Sequence, residues 1–163
     1  MKILVCGLPG SGKTWFAERL VKNIDNCAWY NADFVRKYAN DWDFTSEGRI
    51  RQANRMKTFA DFERSNGRWV VCDFVAPTNN SRNAFNADYV IWMDTIEKGR
   101  VVSAKINELN DIKNLPFNVN NLSNSKAFED TTNMFETPEK IDKHITAFLN
   151  DDEIKIIANE LTS

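Results

Sequence analysis

Short apolar runs alternate with longer amphipathic segments along most of the chain. The apolar runs, which predict β-strands, lie at residues 2–6, 27–30, 69–74 and 89–93, with a weak edge strand at 140–146. The amphipathic segments, which predict helices, lie at 14–22, 47–66, 97–109 and 153–161. This alternation predicts an α/β fold, a mostly parallel five-stranded sheet with helices on both faces.

The longest predicted helix, at 47–66, is charged almost throughout and is closed by Gly67. We expect it to present one apolar stripe, formed by Ile50, Ala53, Met56, Phe59, Ala60 and Phe62. In the helix at 14–22, Phe16, Leu20 and Val21 share one side and are expected to face the sheet.

The segment 110–138 is rich in Asn, Ser, Thr and Asp and has little periodicity. A polar stretch of this length inside a small domain is usually either functional or disordered. It is therefore a lid candidate, in which Lys113, Phe117, Lys126 and Phe128 would close over bound nucleotides. The alternative is a disordered surface loop.

Length and composition favour an ordinary globular protein. The chain has 163 residues, 42% hydrophobic and 27% charged, which fits a single domain over 1–163 without a disulfide or metal staple. The formal net charge of −2 argues against a protein that holds duplex nucleic acid through a strong overall positive field.

The cysteines and the amino terminus favour a cytoplasmic protein. Cys6, Cys27 and Cys72 are too few and too scattered for a disulfide framework or a zinc site, so a reducing cytosol fits best. Cys6 and Cys72 lie in apolar runs and are expected to be buried thiols. The apolar run at the start is too short for a signal peptide or a membrane span, so no membrane partner is expected.

The clearest motif stands between the first predicted strand and the first predicted helix. It reads Gly7, Leu8, Pro9, Gly10, Ser11, Gly12, Lys13, Thr14, a full match to G-x-x-x-x-G-K-[ST]. In such a loop, backbone N–H groups surround phosphate oxygens, the lysine reaches the β- and γ-phosphates and the threonine hydroxyl binds Mg²⁺. The motif predicts a P-loop nucleoside triphosphate hydrolase fold with ATP and Mg²⁺ as cofactors.

Asp33 and Arg36, which follow the second predicted strand, are candidate catalytic residues for a phosphoryl transfer. Asp33 can accept the proton of an attacking hydroxyl, and Arg36 can hold an anionic substrate or the migrating phosphoryl group. In a doubly wound sheet this strand end opens on the same crevice as the phosphate loop. The alternative for Asp33 is a helix N-cap.

Asp73 stands at the end of the third apolar run. An acid in this position holds the water shell of Mg²⁺ in many P-loop proteins, so Thr14 and Asp73 together form the predicted metal site. The alternative is a solvated strand end.

Beyond the phosphate loop, a series of short motifs over residues 1 to about 140 resembles the adenylylsulfate kinase family. The matching segments are Asn31–Arg36 for D-G-D-N-V-R, Phe44–Ser46 for F-S-x, a helix of family length from Arg49 to Gly67, Phe74–Pro77 for F-I-S-P, Arg82, and Lys126–Phe128 with Phe135–Pro138 for K-G-F and Y-E-P-P. Each of these short motifs alone is weak evidence for the family, whereas their order and spacing together are specific to it.

The resemblance implies a kinase that phosphorylates the 3′-hydroxyl of adenosine 5′-phosphosulfate with Mg-ATP. It implies that Phe44 and Phe128 sandwich the acceptor's adenine, with plain core packing as the alternative for each. The full acceptor set that it implies is Asp33, Arg36, Phe44, Arg49, Gln52, Phe74 and Phe128. The partner is then a small nucleotide, and a homodimer is the oligomeric state that the family suggests.

Several positions depart from the family pattern. Asn31 replaces an aspartate, Gln52 an asparagine, Asn54 an arginine, and Asn79 an arginine that helps to bind the sulfate ester. Losing one charge-assisted contact costs roughly 1.5–3 kcal/mol of binding free energy. These replacements therefore bear on the identity of the acceptor more than on the type of reaction.

Three other functions stay open. Polynucleotide 5′-kinases also combine a phosphate loop with an Asp-x-x-Arg pair, which Asp33 and Arg36 satisfy, so a nucleic-acid 5′ end is an alternative acceptor. A nucleotide-dependent switch that hydrolyses ATP slowly would need no acceptor. The replacement at Asn31 also leaves open a former kinase that only binds nucleotide.

Overall fold

The computed structural model describes residues 1–97 and 129–163. The strands in this part of the chain are β1 (Lys2–Gly7), β2 (Cys27–Asn31), β3 (Trp69–Asp73), β4 (Tyr89–Met93) and β5 (Lys143–Ile145). The helices are α1 (Lys13–Lys22), α2 (Ala32–Ala39), α3 (Ser46–Ser65), α4 (Asn79–Phe85) and α5 (Asp151–Thr162), and residues 129–133 are also helical.

The five described strands form one sheet in the order β2-β3-β1-β4-β5, and every pairing is parallel. The α/β prediction is confirmed, including the weak strand at the β5 edge. Because all strands run the same way, the carboxyl ends of β1, β2 and β3 meet at one edge of the sheet, where ligands of such folds bind.

Alternate residues of the strands point to opposite faces and build two cores. One lies between the sheet, α1 and α5, and its main side chains are Ile3, Val5, Phe16, Leu20, Ile91, Ile154 and Ile157. The other lies between the sheet and α2 to α4, and its main side chains are Leu4, Cys6, Val35, Met56, Val70, Phe85 and Val90. Burying an aliphatic side chain contributes roughly 1.5–3 kcal/mol, so these faces fix the positions of the helices that carry the site.

Local capping sets where the helices begin and end. The side chains of Asn31 and Thr45 accept hydrogen bonds from the first turns of α2 and α3. At the end of α3, Gly67 takes a φ of 72° and donates to Arg64, which is the turn expected of a closing glycine.

The predicted apolar stripe of α3 is wrong in part. Ile50 and Phe62 are 62% and 64% exposed, whereas the buried side chains of the helix include Met56, Ala60 and the polar Gln52. At about 100° per residue, positions 52, 56 and 60 fall within about 80° of one another, and 50 and 62 lie well outside that arc. The sheet therefore contacts a narrower face than the apolar residues suggested.

Two short helices, α2 and α4, were not predicted from the periodicity. The predicted helix at 97–109 lies outside the described residues except for Glu97, and so does the lid candidate up to residue 128.

The prediction that Cys6 and Cys72 are buried thiols is confirmed. Cys6 and Cys72 are fully buried, and burial raises the pKa of both thiols, that of Cys6 to about 11. Among residues 1–97 and 129–163, no helix combines the length and the apolar character needed to cross a membrane.

Candidate active site

The loop from Gly7 to Thr14 joins β1 to α1 with its backbone curled inward. Gly10 and Gly12 adopt φ angles of 83° and 87°, a left-handed conformation that side chains disfavour. The N–H of Ser11 donates to the carbonyl of Leu8 at 3.1 Å, which closes the turn. Gly12 is the N-cap of α1, so the helix dipole and the N–H groups of its first turn face the same concavity. This cradle fits the phosphates of a nucleotide.

Gly7 begins the loop at a point of close backbone contact. A Cβ built there would stand 2.4 Å from the carbonyl oxygen of Met93 on β4 and 2.9 Å from Oγ of Ser11. Leu8 and Pro9 are buried behind it. The loop is therefore pressed against the sheet and held in position before a ligand binds.

Lys13 and Ser11 present polar groups inside the loop. The half-buried Lys13 donates from Nζ to the carbonyl of Leu8 at 2.8 Å, which folds the ammonium back over the turn. Ser11 is fully buried, and its Oγ has no hydrogen-bond partner among the described residues. A buried hydroxyl without a partner costs free energy, so its presence in the loop is consistent with a polar ligand there.

Thr14 connects the loop to the ends of β2 and β3. Its Oγ1 donates to Oδ2 of Asp73 at 2.9 Å, and Nδ2 of Asn31 donates to both of these oxygens, at 3.0 and 2.8 Å. The indole Nε1 of Trp29 donates to Oδ1 of Asp73 at 2.6 Å. The predicted metal residues, Thr14 and Asp73, are thus in direct contact.

Asp73 is 2% exposed, so its alternative interpretation as a solvated strand end is wrong. Burial raises the pKa of its carboxyl, and the hydrogen bonds from Trp29, Asn31 and Thr14 and the charge of Lys13 act in the opposite direction. A buried carboxylate with this many donors is held in one orientation, with its charge directed at the loop.

Asp33 lies in the first turn of α2, whose N-cap is Asn31: Oδ1 of Asn31 accepts from the N–H of Phe34 at 3.0 Å. The cap interpretation of Asp33 is therefore wrong. Asp33 is exposed to solvent. The surrounding protein raises the pKa of its carboxyl, and the positive charges of Lys13 and Arg36 oppose that shift. Asp33 thus lies near enough to the phosphate loop for the charge of Lys13 to act on it.

Arg36 is 5% exposed, and burial lowers the pKa of its guanidinium. Its Nη1 donates to the carbonyls of Asp41 and Asp43 at 3.0 and 3.1 Å, and its Cζ lies 4.3 Å from the centre of the Phe44 ring. The guanidinium therefore holds the loop between α2 and α3 and supports the aromatic ring of Phe44, to which the family resemblance gives a role in acceptor binding.

Arg49 lies near Phe44 as well. Its Nε donates to the Phe44 carbonyl at 2.9 Å, its Cζ is 5.8 Å from the ring centre, and Nη1 donates to Oγ1 of Thr131. Burial lowers the pKa of Arg49, and the charge of Asp130 opposes that shift. Arg49 thus joins the Phe44 loop to the helical turn at 129–133.

The remaining predicted acceptor residues have mainly supporting contacts. Gln52 donates from Nε2 to the Ala32 carbonyl at 3.0 Å, which fastens α3 to the start of α2. Phe74 packs edge-on against Phe85 with 5.3 Å between ring centres, so it is largely a core residue. Phe128 lies outside the described residues.

The sequence missed an anchor formed by Asn79 and Arg82. The Asn79 side chain accepts from Nη2 of Arg82 at 2.9 Å and donates to the Thr137 carbonyl at 3.2 Å, and its backbone N–H donates to Glu136 at 2.7 Å. Arg82 also donates to the Glu136 carbonyl at 2.7 Å. These contacts fix the segment that precedes β5. Asn79 replaces the arginine that the resemblance associates with sulfate binding. In this structure both the oxygen and the NH₂ group of its side chain make hydrogen bonds within the anchor.

The donor set beside the loop suits Mg²⁺. The hydroxyl of Thr14 and the carboxylate of Asp73 are hard oxygen ligands in contact with each other. In the part of the chain that the structure describes, no three His, Cys, Asp or Glu side chains gather into a metal cage. This fits an ion that arrives with phosphates and keeps much of its water.

A family model described as adenylylsulphate kinase matches residues 1–146. The probable adenylyl-sulfate kinase of Aeropyrum pernix is 34% identical over 86 residues, covering 50% of this chain and 47% of that protein. The matched part thus spans about half the length of that relative. These matches confirm the resemblance drawn from the short motifs.

Solved structures show similar folds at low identity. The APS kinase of Mycobacterium tuberculosis, in complex with AMPPNP and APS, has a TM-score of 0.68 and 18% identity, over 99% of this chain and 98% of that one. The gluconokinase of Sinorhizobium meliloti 1021 has a TM-score of 0.62 and 14% identity, over 96% and 88%. The shikimate kinase of Acinetobacter baumannii, in complex with shikimate, has a TM-score of 0.57 and 17% identity, over 98% and 89%. These likenesses confirm the predicted P-loop fold.

Proposed function

The chain belongs to the adenylylsulphate kinase family, and from that premise we propose that it transfers the γ-phosphoryl group of Mg-ATP to a hydroxyl of a nucleotide-like acceptor. The acceptor that we propose is adenosine 5′-phosphosulfate, phosphorylated at its 3′-hydroxyl. The observation that carries the proposal is the placement of a carboxylate, Asp33, within reach of the charge of the lysine of a preformed phosphate loop.

The loop binds the triphosphate of ATP. Its inward N–H groups and the helix dipole of α1 favour the anionic phosphates, and Lys13 adds a charge near the terminal phosphate once its ammonium leaves the Leu8 carbonyl. Thr14 and Asp73 would hold the Mg²⁺. When bound, the ion neutralises charge on the β- and γ-phosphates.

Asp33 takes the proton of the acceptor hydroxyl. The acceptor oxygen forms a bond to the γ-phosphorus, the bond from that phosphorus to the bridging oxygen of ADP breaks, and the hydroxyl proton goes to the Asp33 carboxylate. The surrounding protein raises the pKa of Asp33, which makes its carboxylate a better proton acceptor than that of an ordinary aspartate.

The acceptor binds beside Phe44. An aromatic ring with Arg36 and Arg49 near it suits a base attached to anionic groups, since bases stack on aromatic side chains and arginine attracts phosphate and sulfate. The Mycobacterium tuberculosis APS kinase, solved with AMPPNP and APS, supports the choice of adenosine 5′-phosphosulfate.

The test is direct. The protein is incubated with γ-labelled ATP and Mg²⁺ and with either adenosine 5′-phosphosulfate or a 5′-hydroxyl oligonucleotide, and each acceptor is assayed for label. Label in the first acceptor supports the proposal, and label in the oligonucleotide replaces it with the polynucleotide kinase alternative. If neither is labelled, both acceptor assignments are wrong, and phosphate release without an acceptor indicates a slow ATPase switch.

A further inference from the structure

Asn31 and Asp73 occupy matching positions on the parallel strands β2 and β3 and are register partners. We propose that Asn31 is a positioning residue for Asp73, and that this site requires one acid and one amide at the two positions, in either order. The proposal rests on the proposed function only for the role of the pair in holding Mg²⁺. The hydrogen-bond argument stands without it.

On the side that faces away from its partner, each residue of the pair accepts a hydrogen bond from a fixed N–H donor. At the β2 end, the backbone N–H of Phe34 donates to Oδ1 of Asn31, which caps α2. At the β3 end, the indole N–H of Trp29 donates to Oδ1 of Asp73. Neither donor can become an acceptor, so each residue of the pair must turn an oxygen outward.

The atoms between the two side chains then require one amide and one acid. With the outward oxygens fixed, the remaining atoms of the two side chains face each other, at 2.8 Å between Nδ2 of Asn31 and Oδ2 of Asp73. An amide facing an acid makes a hydrogen bond. Two amides would place two donors together, and two carboxylates would place two negative oxygens together. Asn31 and Asp73 are 6% and 2% exposed, so bulk water cannot readily repair either mismatch.

The hydroxyl of Thr14 also requires one amide and one acid at positions 31 and 73. Its Oγ1 accepts from Nδ2 of Asn31 at 3.0 Å and donates to Oδ2 of Asp73 at 2.9 Å, so the hydroxyl sees one donor and one acceptor. This contact fixes the direction of the hydroxyl hydrogen. The amide thereby orients both the carboxylate and the hydroxyl that would hold the metal.

Interchanging the two side chains preserves every pairing of a hydrogen-bond donor with an acceptor. In N31D/D73N, an aspartate at 31 still accepts from Phe34 and is as good an N-cap as asparagine. An asparagine at 73 still accepts from Trp29 and turns its NH₂ inward toward the new carboxylate. Thr14 again has one donor and one acceptor. The single charge remains beside the hydroxyl, and only the strand that carries it changes.

The test is a double-mutant cycle on the whole chain, with N31D, D73N and N31D/D73N compared with the original protein. Urea unfolding without nucleotide or metal measures the pair alone. Each single change is expected to lower the folding equilibrium constant by about tenfold to hundredfold, because a buried polar group loses its partner. The double variant is expected to recover to within about tenfold of the original protein.

Binding of a fluorescent ATP analogue, titrated with and without Mg²⁺, gives the second readout. We expect each single variant to lose most of the Mg²⁺-dependent gain in affinity and the double variant to regain it. A double variant that loses the sum of the two single losses in both assays would overturn the proposal. If a single variant does not fold, a folded double variant is the same rescue, and an unfolded double variant overturns it.

A matched control uses Asn54 and Asp152, which are exposed and lie on helices at opposite faces of the sheet. The interchange N54D/D152N makes the same chemical change without contact, so its effects should add. If the original protein labels neither acceptor, the proposed function fails while the unfolding cycle still decides the pair. If it labels an acceptor and the interchange gives no rescue, only the present inference fails.

Discussion

The guanidinium carbon of Arg36 lies 4.3 Å from the centre of the Phe44 ring, while its Nη1 donates to the two carbonyls of Asp41 and Asp43 just before that ring. One buried cation therefore fixes both the backbone that carries Phe44 and the face that the ring presents. A stacking platform that is ordered before the acceptor arrives loses less conformational entropy on binding.

Replacing Phe44 with alanine is expected to weaken acceptor binding. Base stacking contributes roughly 1–3 kcal/mol, so the KM for adenosine 5′-phosphosulfate should rise about fivefold to 150-fold while the KM for ATP stays near its original value. Steady-state kinetics with each substrate varied in turn measures both. Phe62→Ala, at an exposed position of α3, serves as the control. An unchanged acceptor KM in Phe44→Ala would remove the ring from the acceptor site.

Replacing Lys13 with alanine is expected to reduce phosphoryl transfer by at least about a hundredfold, the scale seen when one preorganised charge-stabilising donor is lost. The fold should persist, since Lys13 is half-buried and its Nζ contact is with a loop carbonyl. Transfer is measured with labelled ATP and folding by circular dichroism. Lys22→Ala on the same helix removes an exposed lysine paired with Glu18 and should leave transfer intact.

Replacing Asp33 with asparagine is expected to abolish transfer and to spare ATP binding, because the amide cannot take the hydroxyl proton and the loop is untouched. Isothermal titration with a non-hydrolysable ATP analogue and a transfer assay separate the two effects. Glu47→Gln, an exposed acid in the first turn of α3, is the matched control. Normal turnover in Asp33→Asn would exclude Asp33 from the chemistry.

Asp41 links stability to pH. Its carboxylate accepts from Arg51 at 2.7 Å and from Arg55 at 2.6 Å, and these hydrogen bonds hold its pKa well below the usual range. A lowered folded-state pKa stabilises the protein above the unfolded value of about 3.9, and this contribution is lost as pH falls further. Asp41→Asn should therefore be less stable than the original protein at pH 7, with a difference that shrinks below about pH 4.

Urea unfolding of Asp41→Asn and the original protein at pH 7 and pH 3 measures this difference. Asp25→Asn, an exposed aspartate, controls for the loss of one negative charge. A difference that stays constant between the two pH values would show that the arginines do not stabilise the folded state through the Asp41 charge.

The phosphate loop and the strands could be predicted from the sequence because their determinants are local. The glycine spacing of residues 7–14 and the unbroken apolar runs of β1, β3 and β4 need no tertiary information. Helix α4 could not be found by periodicity, since in residues 79–85 the apolar side chains are only Ala84 and Phe85. Its start is set by a capping box of Thr78 and Ser81, which lacks the Glu or Gln that marks such a box in a sequence.

The positions of candidate site residues could be predicted where they follow from the order of the strands. They could not be predicted where they depend on packing between distant segments. Asp73 is the last residue of β3 and Asp33 lies just beyond β2, and the carboxyl ends of parallel strands meet at one edge, which places both acids on the side of the loop. The burial of Arg36 under its own loop and the engagement of Asn79 with residues 136–139 arise from contacts between distant segments. Residue type alone gives no sign of such contacts.

The chain's glycines differ sharply in what they can tolerate. At Gly7, any side chain would collide with the Met93 carbonyl, whereas a Cβ on Gly67 would meet nothing within 4 Å. A library that varies every position should therefore recover asparagine at 67, a residue at ease with positive φ, and glycine alone at 7. Selection at position 7 would then persist even in a screen for folding that supplies no nucleotide, because the obstacle is β4 itself.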